Sequence, residues 1–185
     1  MVENKEKAIC VYGASNDDIA ACYKDAAREL GRLVAESGRI LVSGGGRGGL
    51  MAAAIEGAVA AGGFTVGVLP GFMVERGWQH PSLSRMITTP DMHSRKRTMA
   101  DLACGVVAMP GGVGTLEELM EIITWRQLGL FAGKVVILNT EGFYNPLLEM
   151  LDQCTRLGFM RHGSEPLWSV AATPSEAIKL LDADA

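Results

Sequence analysis

The chain has 185 residues, 48% hydrophobic and 21% charged, with a formal net charge of -4. This is globular composition, long enough for one domain with a real hydrophobic core. The acidic balance excludes general nucleic-acid binding, which needs a basic face, and no apolar run reaches the roughly 20 residues that span a bilayer.

In chain order, short apolar runs alternate with amphipathic stretches. The polar start "MVENKEK" has no signal-peptide apolar region and leads into "AICVYGAS" (8–15), a predicted strand. "DIAACYKDAARELGRLVAESG" (18–38) has apolar spacing near 3.6 and a glycine stop, which predicts a helix. "RILVSGG" (39–45) reads as strand, "GLMAAAIEGAVAAGG" (49–63) as helix and "FTVGVLPG" (64–71) as strand. "FMVERGWQHPSLS" (72–84) reads as a loop, "RMITTP" (85–90) as strand and "HSRKRTMADLAC" (93–104) as helix. "GVVAMP" (105–110) is a strand, followed by the turn "PGGVGT" (110–115) and a helix to about Gly129. The remainder predicts strand 134–140, helix 144–158, strand 167–172 and helix 173–184, with Pro174 in the first turn of the last. Such alternation predicts an α/β fold with a parallel sheet and helices on both faces, in a single domain over 1–185. The four cysteines, Cys10, Cys22, Cys104 and Cys154, form no CxxC or Cys/His cluster. No metal site is expected, and reduced, mostly buried thiols in a cytoplasmic protein are.

Ligands of such sheets bind beyond the carboxyl ends of the strands, where strand order switches. Three of those ends are built of small residues: "GAS" (13–15), "SGGGRGG" (43–49) and "PGGVGT" (110–115). Gly44, Gly46 and Gly49 match GxGxxG, but after the second strand, and the next strand ends "LPG" without the acid that reads a dinucleotide's ribose. A ribose-phosphate contact through Gly44 and Gly45 and a plain tight turn both remain open. "PGGVGT" has no lysine and so is no Walker A loop. Backbone N–H groups at Gly111, Gly112, Val113 and Gly114, the positive end of the helix and the Thr115 hydroxyl would suit a phosphate. Glu118 has two readings: the N3 acid of a capping box with Thr115 at N-cap, or a carboxylate facing the cleft. Glu117 and Glu121 read as solvated. Arg95, Lys96 and Arg97 open a helix whose dipole disfavours cations there, so they are either a solvated run or face an anion. His93 reads as a cap or packing residue, and His80 and His162 have no partner in sequence.

Together these stretches resemble the Lonely Guy (LOG) family of phosphoribohydrolases, which release the base and ribose 5-phosphate from cytokinin riboside 5′-monophosphates and often AMP. The family's PGGxGTxxE is matched by Pro110, Gly111, Gly112, Gly114, Thr115 and Glu118, and its Met-His-x-Arg-Lys by Met92, His93, Arg95 and Lys96. "SGGGRGGLM" (43–51) and "EIITWRQLG" (121–129) resemble further family segments. The resemblance implies a Rossmann-like fold, a homodimer, Arg95 and Glu118 as the catalytic pair, and substrate contacts from Lys96, Gly112, Val113, Gly114, Thr115 and Thr124. Where plant-type members carry a substrate-contacting glutamate after the third strand, this chain has Gly77, with Glu75 two residues earlier.

The expected substrate is therefore a nucleoside 5′-monophosphate, cleaved at its N-glycosidic bond without metal, NAD or pyridoxal phosphate. Glu118 would stabilise the oxocarbenium-like ribose or activate water. Arg95 would stabilise charge on the leaving base, because its pKa is too high for an ordinary proton donor. A non-catalytic nucleotide sensor or carrier is the alternative. The apolar stretches "GLMAAAIEGAVAA" and "LMEIITWRQLGLF" are the sequence basis for expecting a dimer interface.

Overall fold

A computed structural model describes residues 8–160 and 166–183. They run β1 (Ala8–Tyr12), α1 (Ala21–Glu36), β2 (Ile40–Ser43), α2 (Gly49–Ala60), β3 (Thr65–Pro70), α3 (Gly71–Glu75), β4 (Arg85–Thr89) and α4 (Met92–Leu102). Then come β5 (Gly105–Ala108), α5 (Val113–Gln127), β6 (Lys134–Leu138), a 3-10 turn (Thr140–Gly142), α6 (Asn145–Arg156), β7 (Ser169–Ala171) and α7 (Pro174–Asp182). All strands pair in parallel in one sheet, ordered β4-β3-β2-β1-β5-β6-β7. This is the parallel α/β arrangement expected from the alternation and the Rossmann-like fold that the resemblance implies.

The two-residue period of β1, "AICVY", distributes its side chains between two cores. Ile9 and Val11 pack with Leu30 and Val34 of α1, Leu50 and Ile55 of α2, and Ala177 of α7. Ala8, Cys10 and Tyr12 pack with Met99 of α4 and Leu119 and Ile122 of α5, beside Tyr144. Being covered on both faces, the central strands are apolar throughout, as parallel strands usually are. The chain steps outward from β1 to β4, then crosses back through α4 to β5 on the other side of β1. That reversal opens a crevice at the carboxyl ends of β1 and β5.

Three expectations are corrected. The segment 72–84 is not all loop: α3 follows directly on Pro70, and five residues are too few to show a helical period. The thiols are not mostly buried: only Cys10 is, while Cys22 is exposed in the first turn of α1 and Cys104 and Cys154 are half-buried. The apolar surplus of "GLMAAAIEGAVAA" is not a free face. A Cβ on Gly31 would overlap the Ala54 carbonyl and one on Gly57 the Arg28 carbonyl, so α1 and α2 meet backbone to backbone. That contact, with the sheet, covers the surplus. In the second stretch Leu119, Ile122, Ile123 and Phe131 are core, whereas Leu128 and Leu130 are 65% and 61% exposed. Among the described residues no helix is long and apolar enough to cross a membrane. His162 lies outside the described residues.

Candidate active site

At the crevice, the ends of β1, β2, β3 and β5 surround a cavity of about 700 Å³. Its wall on the β5 side is Gly112, Val113, Gly114, Thr115, Glu117 and Glu118. The loop leading there is pinned to the core: the Met109 N–H donates to the Tyr12 carbonyl (2.9 Å) and the Ala14 N–H to the Pro110 carbonyl (3.1 Å). From below, the buried Tyr144 hydroxyl donates to the Met109 carbonyl at 2.7 Å.

Helix α5 starts at Val113 with Gly112 as N-cap, three residues earlier than a capping box would need. Thr115 is therefore the third helical residue, and the capping reading of Glu118 is wrong. Thr115 packs into the space beside Gly111 that a Cβ would fill, and Gly111 itself is off the cavity wall. Among the described residues nothing accepts from the N–H groups of Val113, Gly114 and Thr115. These three donors line the cavity at the positive end of a 15-residue helix.

One turn further along, Glu118 meets Arg95. Helix α4 begins with Asp91 at N-cap, its carboxylate accepting from the Ser94 N–H at 2.7 Å. This acid offsets the unfavourable placing of cations near the helix start. Arg95 is only 6% exposed. Its Nε donates to the Val68 carbonyl (3.0 Å) and its Nη1 to Glu118 Oε1 (2.7 Å). A Cβ on Gly44 would overlap the same guanidinium, so Gly44 is what lets Arg95 reach the wall. Removing one partner of such a buried pair would strand the other charge at high cost. Burial raises the Glu118 carboxyl above its ordinary 4.5, with the Arg95 guanidinium working against it.

The remaining predicted residues divide. Lys96 is buried but off the cavity wall: its ammonium sits between Glu117 and Glu121, with the Glu121 contact at 3.1 Å. Burial disfavours its charge, but the two carboxylates outweigh that and raise its pKa. Glu117 and Glu121 are thus not merely solvated; they tie α5 to α4. Arg97 is the solvated member of the run, paired with Asp101 and lying over the Trp125 ring. Thr124 is exposed and donates to the Met120 carbonyl at 2.8 Å, away from the cavity. Gly45 is off the wall too, its carbonyl accepting from the His80 N–H at 2.8 Å. Lys96, Gly45, Gly111 and Thr124 are therefore not brought to the cavity that holds Gly44, Gly112, Val113, Gly114, Thr115, Arg95 and Glu118.

The glycine loop after β2 has a different end. Asp17, after β1, accepts from the Gly49 N–H at 2.7 Å. The Ala14 carbonyl takes the Leu50 N–H (2.8 Å) and the Met51 N–H (3.4 Å). The first donors of α2 are consumed by the chain itself. Asp17 was missed from sequence, although an acid just past a small-residue strand end was a usable signal. Trp78, which also lines the cavity, gave no periodic signal at all.

A family model described as "possible lysine decarboxylase" matches residues 51–181. The cytokinin riboside 5′-monophosphate phosphoribohydrolase LOG1 of Arabidopsis thaliana is 38% identical over 181 residues, covering 98% of this chain and 85% of the relative. The rice (Oryza sativa subsp. japonica) enzyme LOG is 38% identical over 176 residues, covering 95% and 73%. Among solved structures, a Moco carrier protein of Chlamydomonas reinhardtii superposes with a TM-score of 0.73 at 29% identity, covering 95% of each chain. A molybdenum cofactor binding protein of Rippkaea orientalis shares the fold, with a TM-score of 0.74 at 23% identity and 95% of each chain covered. Identity at this level runs along nearly the whole chain, and both sequence motifs converge on one cavity: the chain belongs to the LOG family of cytokinin riboside 5′-monophosphate phosphoribohydrolases.

Proposed function

We propose that this protein is an N-glycosyl hydrolase that cleaves a purine or cytokinin nucleoside 5′-monophosphate to the free base and ribose 5-phosphate. The observation that carries the reading is the buried Arg95–Glu118 pair on the wall of a cavity that also holds the uncapped start of α5. In this reading the N–H groups of Val113, Gly114 and Thr115 and the Thr115 hydroxyl hold the 5′-phosphate. The Glu118 carboxylate faces the sugar, where positive charge develops as the glycosidic bond breaks, and stabilises that charge or orients the attacking water. Arg95 faces the negative charge that grows on the departing base. Both groups are held by the fold before substrate arrives, so little reorganisation is needed at the reacting centre.

A carrier reading has one observation in its favour, the 29% identity to the Moco carrier protein. It needs the same cavity but no turnover. Decarboxylation of lysine through a Schiff base fits poorly, since the described residues on the cavity wall include no lysine and Lys96 is held between two carboxylates. Incubating the purified protein with AMP and following adenine and ribose 5-phosphate by chromatography separates hydrolase from carrier. Free adenine, formed equally with and without EDTA, is the expected result. Tightly bound, intact AMP would replace the hydrolase reading with the carrier. The same reading makes the chain a single nucleotide-binding domain, cytoplasmic and homodimeric. The exposed Leu128 and Leu130 at the end of α5 support the dimer, and light scattering at micromolar concentration tests it.

A further inference from the structure

Part of the cavity wall is apolar: Met51, Leu69, Met73, Trp78 and Met92 line it. Thioethers and methyl groups present adaptable, weakly polar surface, with no strong hydrogen-bonding group to read a base edge. Trp78 is the one aromatic residue among them and is 41% exposed.

The fold presents this indole deliberately. Helix α3 closes with a turn in which the Gly77 N–H donates to the Val74 carbonyl at 2.9 Å. Gly77 has φ of +67°, a conformation glycine adopts freely and glutamate does not. The residue standing where plant-type members have a glutamate is thus required for the turn, and the side chain delivered next is Trp78. Its N–H donates to the Met73 carbonyl (3.1 Å), and its carbonyl accepts from the Arg47 N–H (3.0 Å). A bridge between Gly46 and Gln79 and the bond from the His80 N–H to Gly45 continue the clamp. On the indole, the Arg76 guanidinium lies 5.2 Å from the ring centroid and also 5.6 Å from that of Phe72. Phe72 and Arg76 are not on the cavity wall while Trp78 is, so this stack supports the ring from outside the cavity.

We infer that the Trp78 indole is the platform on which the base of the bound nucleotide stacks. Trp78 follows β3, and the start of α5 follows β5, three interstrand steps away in the sheet order. At the usual strand spacing that is about 14 Å, a span suited to a nucleotide lying from phosphate to base. Arg95 bridges the interval, bound to the β3 carbonyl of Val68, to Glu118 and against Gly44. The glycosidic bond would then lie beside the Arg95–Glu118 pair. This assignment rests on the hydrolase reading for its substrate, but it concerns binding and is tested apart from turnover.

The test uses AMP and ribose 5-phosphate as probes. Trp78→Ala should raise KM for AMP by about 10- to 100-fold, the range of a lost base–aromatic stack, with kcat changed less than about threefold. Trp78→Phe should restore most of the loss, and inhibition by ribose 5-phosphate should be unaltered in both variants. In a non-hydrolysing Glu118→Gln protein, AMP should quench tryptophan emission and ribose 5-phosphate should not. The quench should vanish when Trp78→Phe is added, leaving Trp125 and Trp168 unaffected. An unchanged KM in a folded Trp78→Ala protein, an equal loss of ribose 5-phosphate inhibition, or a quench that survives Trp78→Phe overturns the platform. Should Trp78→Ala fail to fold, the Trp78→Phe titration decides. If wild type binds AMP without cleaving it, the hydrolase reading fails while the quench still decides the platform. If AMP does not bind at all, both fall.

Discussion

Two glycine loops in this chain look alike in sequence and behave as opposites. Both end a central strand and open a helix. In the loop after β2, the space of each missing Cβ is already filled: Arg95 at Gly44, Asp17 and the Ser15 carbonyl at Gly48, the Ala14 carbonyl at Gly49. Its helix donors are taken by Asp17 and Ala14. In the loop after β5, a Cβ on Gly112 or Gly114 would meet no protein atom within 4 Å, and the first-turn donors are free among the described residues. One loop uses glycine so that protein can pack closely; the other uses it to leave room for something else. Glycine count therefore does not mark a phosphate site. What marks it is whether another segment supplies the acceptors. The two loops still cooperate, because Gly44 makes the space through which Arg95 reaches Glu118 on the open side.

The hardest blow to this division of labour falls on the pair itself. Glu118→Gln and Arg95→Ala should each lower kcat/KM for AMP by about 10²–10⁴, the range for lost charge stabilisation or acid–base work. Circular dichroism should still report a folded protein for Glu118→Gln. Near-normal turnover in either variant would remove that residue from the chemistry.

The open loop is tested through the substrate. Adenosine lacks the phosphate, and hydrogen bonds to a charged group are worth about 1.5–3 kcal/mol each. Losing two should lower kcat/KM by about 10²–10⁴ relative to AMP, partly in kcat, because a held phosphate positions the ribose. Thr115→Val should narrow the gap. Equal kcat/KM for AMP and adenosine would leave the uncapped start of α5 with no ligand to explain it.

Next comes a matched pair of glycines. Gly44→Ala drives a methyl into the Arg95 guanidinium, and a displacement of about 1 Å at a reacting centre can lower the rate by about 10². Gly114→Ala meets no protein atom, so its melting temperature should stay close to wild type, and any lost activity should appear as weaker AMP binding. If the two variants lose stability and kcat alike, the loops are not different in kind.

The pH dependence of Glu118 sharpens the contrast further. Burial, opposed by Arg95, raises its pKa above 4.5. A carboxyl with a higher pKa when folded favours folding below its unfolded value and loses that contribution as pH rises through the folded one. Denaturation of wild type and Glu118→Gln across pH should show the difference moving in favour of the variant as pH rises above 4.5. Activity moves the other way. In the proposed mechanism Glu118 works as the carboxylate, so the acid limb of kcat/KM should have its midpoint above 4.5.

Much of this was legible from residues, for identifiable reasons. β1 and β5 read as strands because a doubly covered strand is apolar throughout, and α1 and α7 read as helices because their periods and stops are strong. The pairing of Arg95 with Glu118 was legible only through motif resemblance, since which acid of α5 faces which cation of α4 depends on helix rotation. The same rotation gave Lys96 to Glu117 and Glu121 instead of to the cavity. Thr115 and Glu118 satisfy the capping-box pattern, but a helix with its N-cap at Gly112 shifts the frame by three residues. Asp17 stands out only as an acid past a small-residue strand end, and what it does depends on a partner 32 positions away.

Asp17 gives the smallest effect and the finest test. Its carboxylate caps α2 from another segment, so Asp17→Ala should lower stability by about 0.5–2 kcal/mol, a fall of roughly 2–4 °C in Tm per kcal/mol for a chain of this size. Its effect on activity separates two accounts of the loop after β2. If that loop only packs, the freed Gly49 N–H gains water, and KM for AMP stays within about threefold of wild type. If it holds phosphate, the carboxylate repels the ligand and occupies its donor, so Asp17→Ala should bind AMP more tightly. Measuring Tm and KM on the same preparation reads both. A lower Tm with an unchanged KM is the expected outcome. An unchanged Tm with a lower KM would mean that the closed loop is a masked phosphate site, and the contrast between the loops would have to be drawn the other way.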